Sequence, residues 1–416
     1  MHKNEGPQLK KHRLKEIIDL YWSDYLQSSS RSLYLEPKHF KAVNNLRSCR
    51  SSRMGIGQFI CEGCGSTHRI VRSCKHRFCS SCGIVETYRW AEARLSQLLP
   101  IKHHHIVMTL PAGLRWLSKL NGNKLHDLLF RLGSKVVKDF FAKSHGLECG
   151  IVSVLHSAGS DLKYHPHVHM IVSGGGVDEF GELIELSGDY LCPQRLLADR
   201  LRSVYLKNLL SLYRKGELRV SSSWEDEGAF LKWLGSLNDR QWIVSIQPSL
   251  RDLSQIVAYV GRYTKRACLS ESKLESIADG QIRYRFNDYK NTPRGMKPTQ
   301  GIITQDAFKF LDALLQHVPE KGYRMVRYYG LYSSRRYKQI KPSGEASCEC
   351  ACKPSEPDWY SEIDWGPYED YRKAQLERTG VDPLYCLNCN QDYVFHCLII
   401  DRRAKPKYEI GYENSS

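Results

Sequence analysis

The sequence has no apolar run of about 18 residues, which excludes a transmembrane helix. It also has no leader of basic, apolar and small-residue regions, so export is not expected. A GxxxxGK[ST] phosphate loop is missing too, which argues against a built-in nucleotide-driven motor. There is no internal repeat and no long low-complexity tract. Acidic residues are outnumbered, with 45 Asp and Glu against 61 Lys and Arg, a net charge of +16. A soluble intracellular protein with that excess is expected to face a polyanion, most commonly nucleic acid. At 416 residues the chain is long enough for two or three units with a sizeable core.

The 15 cysteines are an odd number and cluster in CxxC and CxC spacings. Without export, that pattern favours thiolate metal sites over disulfides. Cys61-x2-Cys64 and Cys79-x2-Cys82 have the spacing of a tetrahedral four-cysteine zinc site, since each CxxC turn bends two thiolates toward one ion. Cys49, Cys74 and His76 are spare donors nearby. Cys386-x2-Cys389 suggests a second zinc site whose other ligands the spacing leaves open.

The histidines are organised around YHPHVHMIVSGGG, residues 164–176. Alternate side chains leave the same face of a strand, so His167 and His169 stand side by side and can share one divalent ion. Pro166 cannot donate to a ladder and suits a strand's first residue, which sets His165 apart from the pair. Residues 151–156 form a second strand, joined to the first by a short turn at 158–161, so His156 is the candidate third ligand. Residues 105–110 and 242–247 read as further strands, and 14–25, 86–99, 125–141 and 195–214 as helices. Residues 222–239 are poorly periodic and read as a surface insertion.

Residues 253–265, LSQIVAYVGRYTK, read as a helix with Tyr259 and Tyr263 four residues apart, so that both phenols project from one face. Basic and aromatic residues then interleave in QIRYRFNDY and YRMVRYYGLYSSRRYK, offering phosphate contacts and stacking surfaces for unpaired bases. The candidate DNA-contacting residues are Arg262, Lys265, Arg266, Arg283, Tyr284, Arg285 and Arg327. The basic segment 1–54 is a candidate DNA-contacting helical arm.

Taken together, CEGCG with CKHRFCSSCG, HIVMTLPAGLRWL, LHSAGSDLKYHPHVHMIVSGGG, YVGRYTKRACLS, DGQIRYRFNDY and YRMVRYYGL resemble the HUH nucleases. More narrowly, they resemble the two-tyrosine rolling-circle transposases of the insertion-sequence-91-like family, from about Cys49 to Tyr332, with a weaker echo in DPLYCLNC. His76 and Ser80 stand where that family usually has Asn and Pro. The resemblance implies an α+β protein: a basic helical arm (1–54), a zinc-binding module (55–100), an HUH catalytic domain of antiparallel sheet and helices (101–335), and a cysteine-containing tail (336–416). It further implies structural Zn2+, a catalytic Mg2+ or Mn2+ at the histidines, and Tyr259 and Tyr263 as nucleophiles. The implied partners are single-stranded element ends and target DNA, host helicase and replication proteins, and no membrane, in the cytoplasm at the nucleoid. Two other functions fit less of the pattern: a plasmid or phage replication initiator, and a zinc-dependent DNA-binding regulator with structural histidines.

Overall fold

The computed structural model describes residues 13–80, 97–188, 191–238, 242–247, 267–289, 298–336 and 380–400, with isolated positions among them such as Cys82, Trp90, Leu95 and Arg372. In chain order, helices α1 (Arg13–Gln27), α2 (Ser29–Ser32) and α3 (Pro37–Ser48) precede the hairpin of β1 (Ile56–Cys61) and β2 (Thr67–Val71). Strand β3 (His103–Thr109), helices α4 (Arg115–Leu120) and α5 (Gly122–His145), and strands β4 (Gly150–Ala158) and β5 (Tyr164–Ser173) follow. Next come β6 (Gly175–Val177), β7 (Leu183–Glu185), α6 (Gln194–Arg214), α7 (Glu227–Asn238) and β8 (Ile243–Ile246). The remainder is β9 (Leu274–Ala278), β10 (Gln281–Asp288), β11 (Thr299–Asp306), α8 (Ala307–Leu315), β12 (Val326–Gly330), β13 (Tyr385–Cys386) and β14 (Gln391–Ile399).

The central sheet has the order β12-β4-β5-β3-β8, with antiparallel pairing throughout. Period-two alternation sorts its side chains. Ile106, Met108, Ile151, Leu155, Val168 and Met170 enter the largest core, against α5, α6 and α7. The opposite face carries Val152, Val154, Ile171 and Tyr332 toward one end and histidines toward the other. The Tyr332 hydroxyl ties that end together, accepting from Leu99 N–H (3.1 Å) and donating to His103 Nε2 (2.6 Å). The glycine run after β5 is a close-approach device. A Cβ at Gly175 would lie 2.1 Å from the Ile184 carbonyl oxygen, and one at Gly176 2.2 Å from that of Glu148.

Two corrections concern this half. Residues 222–239 are no insertion: α7 buries Phe230, Leu234 and Leu237 in the main core, and the Phe230 ring stacks on Tyr213 at 3.8 Å. Pro166 lies inside β5, not at its start, and its carbonyl accepts from Leu110 N–H at 3.1 Å, which keeps that half of the pair with β3.

A second core joins the N-terminal helices to the sheet β11-β10-β9 and α8. Helix α1 forms because Leu14, Ile17, Ile18, Trp22 and Tyr25 recur on one face, all buried. Helix α3 starts on Pro37 behind a Glu36 cap that His39 reciprocates. The Tyr25 hydroxyl donates to Asp312 (2.7 Å), Arg31 pairs with the same carboxylate, Lys38 with Glu320, and Arg47 with Asp19. The described part of segment 1–54 is therefore a packed helical layer, with these cations spent on partners within the chain, and not a free arm.

A third sheet, β13-β14-β1-β2, crosses the whole sequence, because β14 pairs antiparallel with β1, Cys61 opposite Tyr393. Residues 380–400, expected in a tail, are thus part of the same sheet as residues 56–71.

Candidate active site and metal centres

Three imidazoles meet on the central sheet because of its register. His156 on β4 is the direct partner of His167 on β5, and His169 follows on the same face. Their ligand-capable nitrogens all lie within 4.8 Å of one another. His156 Nδ1 and His167 Nε2 are 3.3 Å apart. Two nitrogens bound to one ion at about 2.1 Å would sit roughly 3 Å apart at a right angle, so the trio fits a divalent cation. The His167 Nδ1–H donates to the His165 carbonyl (2.6 Å), which leaves Nε2 as the lone-pair donor.

Burial first, and neighbouring imidazoles second, hold His156 and His169 well below the ordinary histidine range; burial puts His167 at about 4. All three are neutral at pH 7, the form that coordinates a metal.

His105, not singled out from the sequence, completes the arrangement. It stacks parallel on His169, with ring centres 5.2 Å apart and its Nε2 2.9 Å from His169 Nδ1. Its side chain also bonds the Gln247 side chain. When His169 Nδ1–H donates to His105, the other His169 nitrogen is left as the lone-pair donor. The signal was available in β3, where His103 and His105 alternate as His167 and His169 do in β5.

A pocket opens beside His156, lined by Arg77, Phe78, Ser157, Ala267, Cys268, His317 and Pro319. Arg77 and Phe78 come from the cysteine-rich module, and Ala267 and Cys268 stand four and five residues after Tyr263 in sequence. Tyr259, Tyr263, Arg262, Lys265 and Arg266 lie outside the described residues.

The cysteines group differently from the expected quartet of Cys61, Cys64, Cys79 and Cys82. Cys49, Cys74, Cys79 and Cys82 converge in one cluster, and Cys61 and Cys64 in another with Cys386 and Cys389. The reason is the hairpin: the CxxC at 61–64 sits at its turn, and the five residues of β2 carry the chain roughly 17 Å away before Cys74. In the first cluster the sulfurs are 3.4 Å (Cys49 to Cys82), 3.6 Å (Cys74 to Cys82) and 3.7 Å (Cys49 to Cys79) apart. Tetrahedral zinc with Zn–S near 2.3 Å sets sulfurs about 3.8 Å apart, whereas a disulfide would bring them to about 2 Å. The cluster fits zinc, and Cys49, Phe78, Cys79 and Cys82 are buried in the second core.

One candidate DNA contact is corrected. Tyr284 is only 1% exposed, because alternation along β10 turns Arg283 and Arg285 outward and Tyr284 inward, where its hydroxyl donates to the Asp161 carbonyl (3.2 Å). Arg327 pairs with Asp127 and lies over the Phe130 ring (4.5 Å), which makes it a fastener between β12 and α5. Arg283 and Arg285 remain half-exposed beside Glu275.

Comparison with known proteins follows the same division. The family model described as "Putative transposase" matches residues 150–339, and the "Transposase zinc-binding domain" model matches residues 17–110. The chain is 29% identical over 372 residues to "Putative transposase y4qJ" of Sinorhizobium fredii, covering 88% of this chain and 90% of that protein. It is 28% identical over 366 residues to the "Transposase for insertion sequence element IS801" of Pseudomonas savastanoi pv. phaseolicola, covering 86% and 83%. No solved structure matches the chain. A mixed helix and antiparallel-sheet chain with a zinc-binding domain and these matches is a transposase, an enzyme that binds and cleaves DNA. Together the two models and the two relatives support a transposase of the insertion-sequence-91-like type.

Proposed function

We propose that this transposase works by rolling-circle chemistry, cutting and rejoining single-stranded DNA through 5'-phosphotyrosine links at Tyr259 and Tyr263. The observation that carries the reading is the pocket beside the histidine trio, which His156 lines together with Ala267 and Cys268, four and five residues after Tyr263 in sequence. In each cut a tyrosine oxygen attacks the phosphorus, the Tyr O–P bond forms, the bond to the 3'-oxygen breaks, and that oxygen leaves as a 3'-hydroxyl with one proton. Rejoining reverses the exchange: a 3'-hydroxyl attacks and the phenol is released. The number of phosphoester bonds is unchanged, so no nucleotide is consumed, which suits a chain without a phosphate loop.

His156, His167 and His169 would hold the divalent ion, Mg2+ or Mn2+, and when bound it would polarise the scissile phosphate and offset charge on the departing oxygen. The chain's own contribution is to keep three neutral imidazoles fixed on a sheet and to fix the orientation of His169 through His105. A phenol has an ordinary pKa near 10, so a tyrosine nucleophile needs this environment to be deprotonated as it attacks. Host helicase and replication proteins would supply the single strand, in the cytoplasm at the nucleoid.

The test is incubation of the chain with labelled single-stranded oligonucleotide and Mg2+ or Mn2+. A labelled adduct that survives denaturation is expected, lost in the double variant Tyr259→Phe/Tyr263→Phe. An adduct that persists in the double variant moves the nucleophile elsewhere, and a wild-type chain that forms none under any condition sinks the reading.

A further inference from the structure

The zinc-binding match at residues 17–110 spans six cysteines: Cys49, Cys61, Cys64, Cys74, Cys79 and Cys82. Four of them close on one another in the second core, leaving the CxxC at 61–64 over. Its nearest thiols come from the other end of the sequence. Cys61 Sγ is 3.1 Å from Cys389 Sγ, and Cys64 Sγ is 3.6 Å from Cys386 Sγ.

The two CxxC turns are built alike. After Cys61, the Gly65 N–H donates to the Cys61 carbonyl (2.8 Å), and Gly65 is left-handed at φ 68°. After Cys386, the Asn390 N–H donates to the Cys386 carbonyl (2.9 Å), and Asn390 is left-handed at φ 56°. Each turn joins the two strands of a hairpin, β1 with β2 and β13 with β14, and pairing of β1 with β14 sets the turns face to face. A Cβ on Gly63 would lie 2.3 Å from the tip of the Gln391 side chain and 3.2 Å from Cys389 Sγ, so the two turns approach closely here.

Among the described residues, little else holds the sheet that carries the turns. Its apolar cluster is Phe59, Ile70 and Leu384, with Tyr393 half-buried beside them. Arg372, 3% exposed, adds a two-pronged pair with Asp382 and a contact with Asp392. A unit with so small a core generally needs a staple.

We infer that Cys61, Cys64, Cys386 and Cys389 bind a second zinc ion, a clasp that fastens residues 380–400 to the β1–β2 hairpin. It shares no ligand and no core residue with the buried quartet, so the two ions are lost independently. Cys64 is exposed and Cys389 partly so, which makes the clasp the first site a chelator reaches.

The full chain, purified under reducing conditions, should contain two zinc ions by elemental analysis, and its cobalt-substituted form two tetrathiolate centres by thiolate-to-metal absorption. Cys386→Ser/Cys389→Ser should hold one ion and release the 380–400 segment to a protease while the rest resists. Cys389→His, which still offers a tetrahedral donor set, should keep two. Partial chelation of the wild-type chain should reproduce the one-zinc, protease-sensitive state without any substitution. A wild-type chain with one zinc, or a double serine variant that retains both, overturns the clasp. So does loss of the same single ion in the double variant and in Cys79→Ser.

Discussion

His156, His167 and His169 occupy adjacent positions of one hairpin, whereas the cysteines stand at seams where segments far apart in sequence meet. In the histidine site, strand register brings the donors together and the hydrogen bonds of the central sheet hold them in place, with no contribution needed from an ion. In the cysteine clusters the sulfurs are themselves the junction, most plainly in Cys61 and Cys389, which nothing local in the chain would bring within 3.1 Å. A donor set held by its scaffold can lose its ion and keep its shape. One that forms the scaffold cannot.

Four measurements would break or sharpen that contrast. The largest effect is expected from His167→Ala/His169→Ala, which should lower adduct formation on single-stranded DNA by at least about 1,000-fold, to background, yet leave the melting temperature within a few degrees. Collapse of the fold in this variant would make the trio a structural centre and erase the contrast. Next is Cys79→Ser, which should unfold the layer of α1 and α3, since binding of a structural ion is coupled to folding. A melting curve unchanged from wild type would show that the second core stands without its quartet.

Third comes acid. Burial holds His103, His126 and His317 at about 4, against about 6.5 when unfolded. Because the folded values are depressed, the unfolded chain binds more protons between those limits. Stability should be level above pH 6.5 and fall as pH drops toward 4, by at most roughly 3 kcal/mol per residue. Melting of the His167→Ala/His169→Ala variant, which lacks two of the three imidazoles proposed to hold the ion, checks this, and a flat profile from pH 6.5 to 4 counts against it. The smallest effect is expected from His105→Phe, which should cost roughly 10- to 100-fold in cleavage or metal affinity with the fold intact. An unchanged requirement for Mn2+ would show that His105 does not orient His169.

What could be read from the sequence follows the same physics. The placement of His156 beside His167 was accessible because a short turn and period-two alternation determine it locally, and the helices that became α1, α5 and α6 announced themselves by periodic apolar residues. The partition of the cysteines was not accessible, since spacing identifies the CxxC turns without saying which face each other. Tyr284 misled because a strand of alternating basic and aromatic residues looks the same whether its aromatic face meets DNA or, as here, the Phe310 ring at 5.6 Å. Helix α7 was missed because its acidic and aromatic residues obscure the periodic positions Phe230, Leu234 and Leu237.

The pairing of β1 with β14 also has a consequence in time. Cys61 emerges from the ribosome well before its strand partner Tyr393, with more than 300 residues still to be made. At roughly 5 to 20 residues per second, β1 waits on the order of a quarter of a minute to a minute with one edge unpaired. Through that interval the nascent chain presents an open template for another strand. A message broken before codon 391 would leave it open for good, so premature termination should yield aggregate and not a shorter working enzyme.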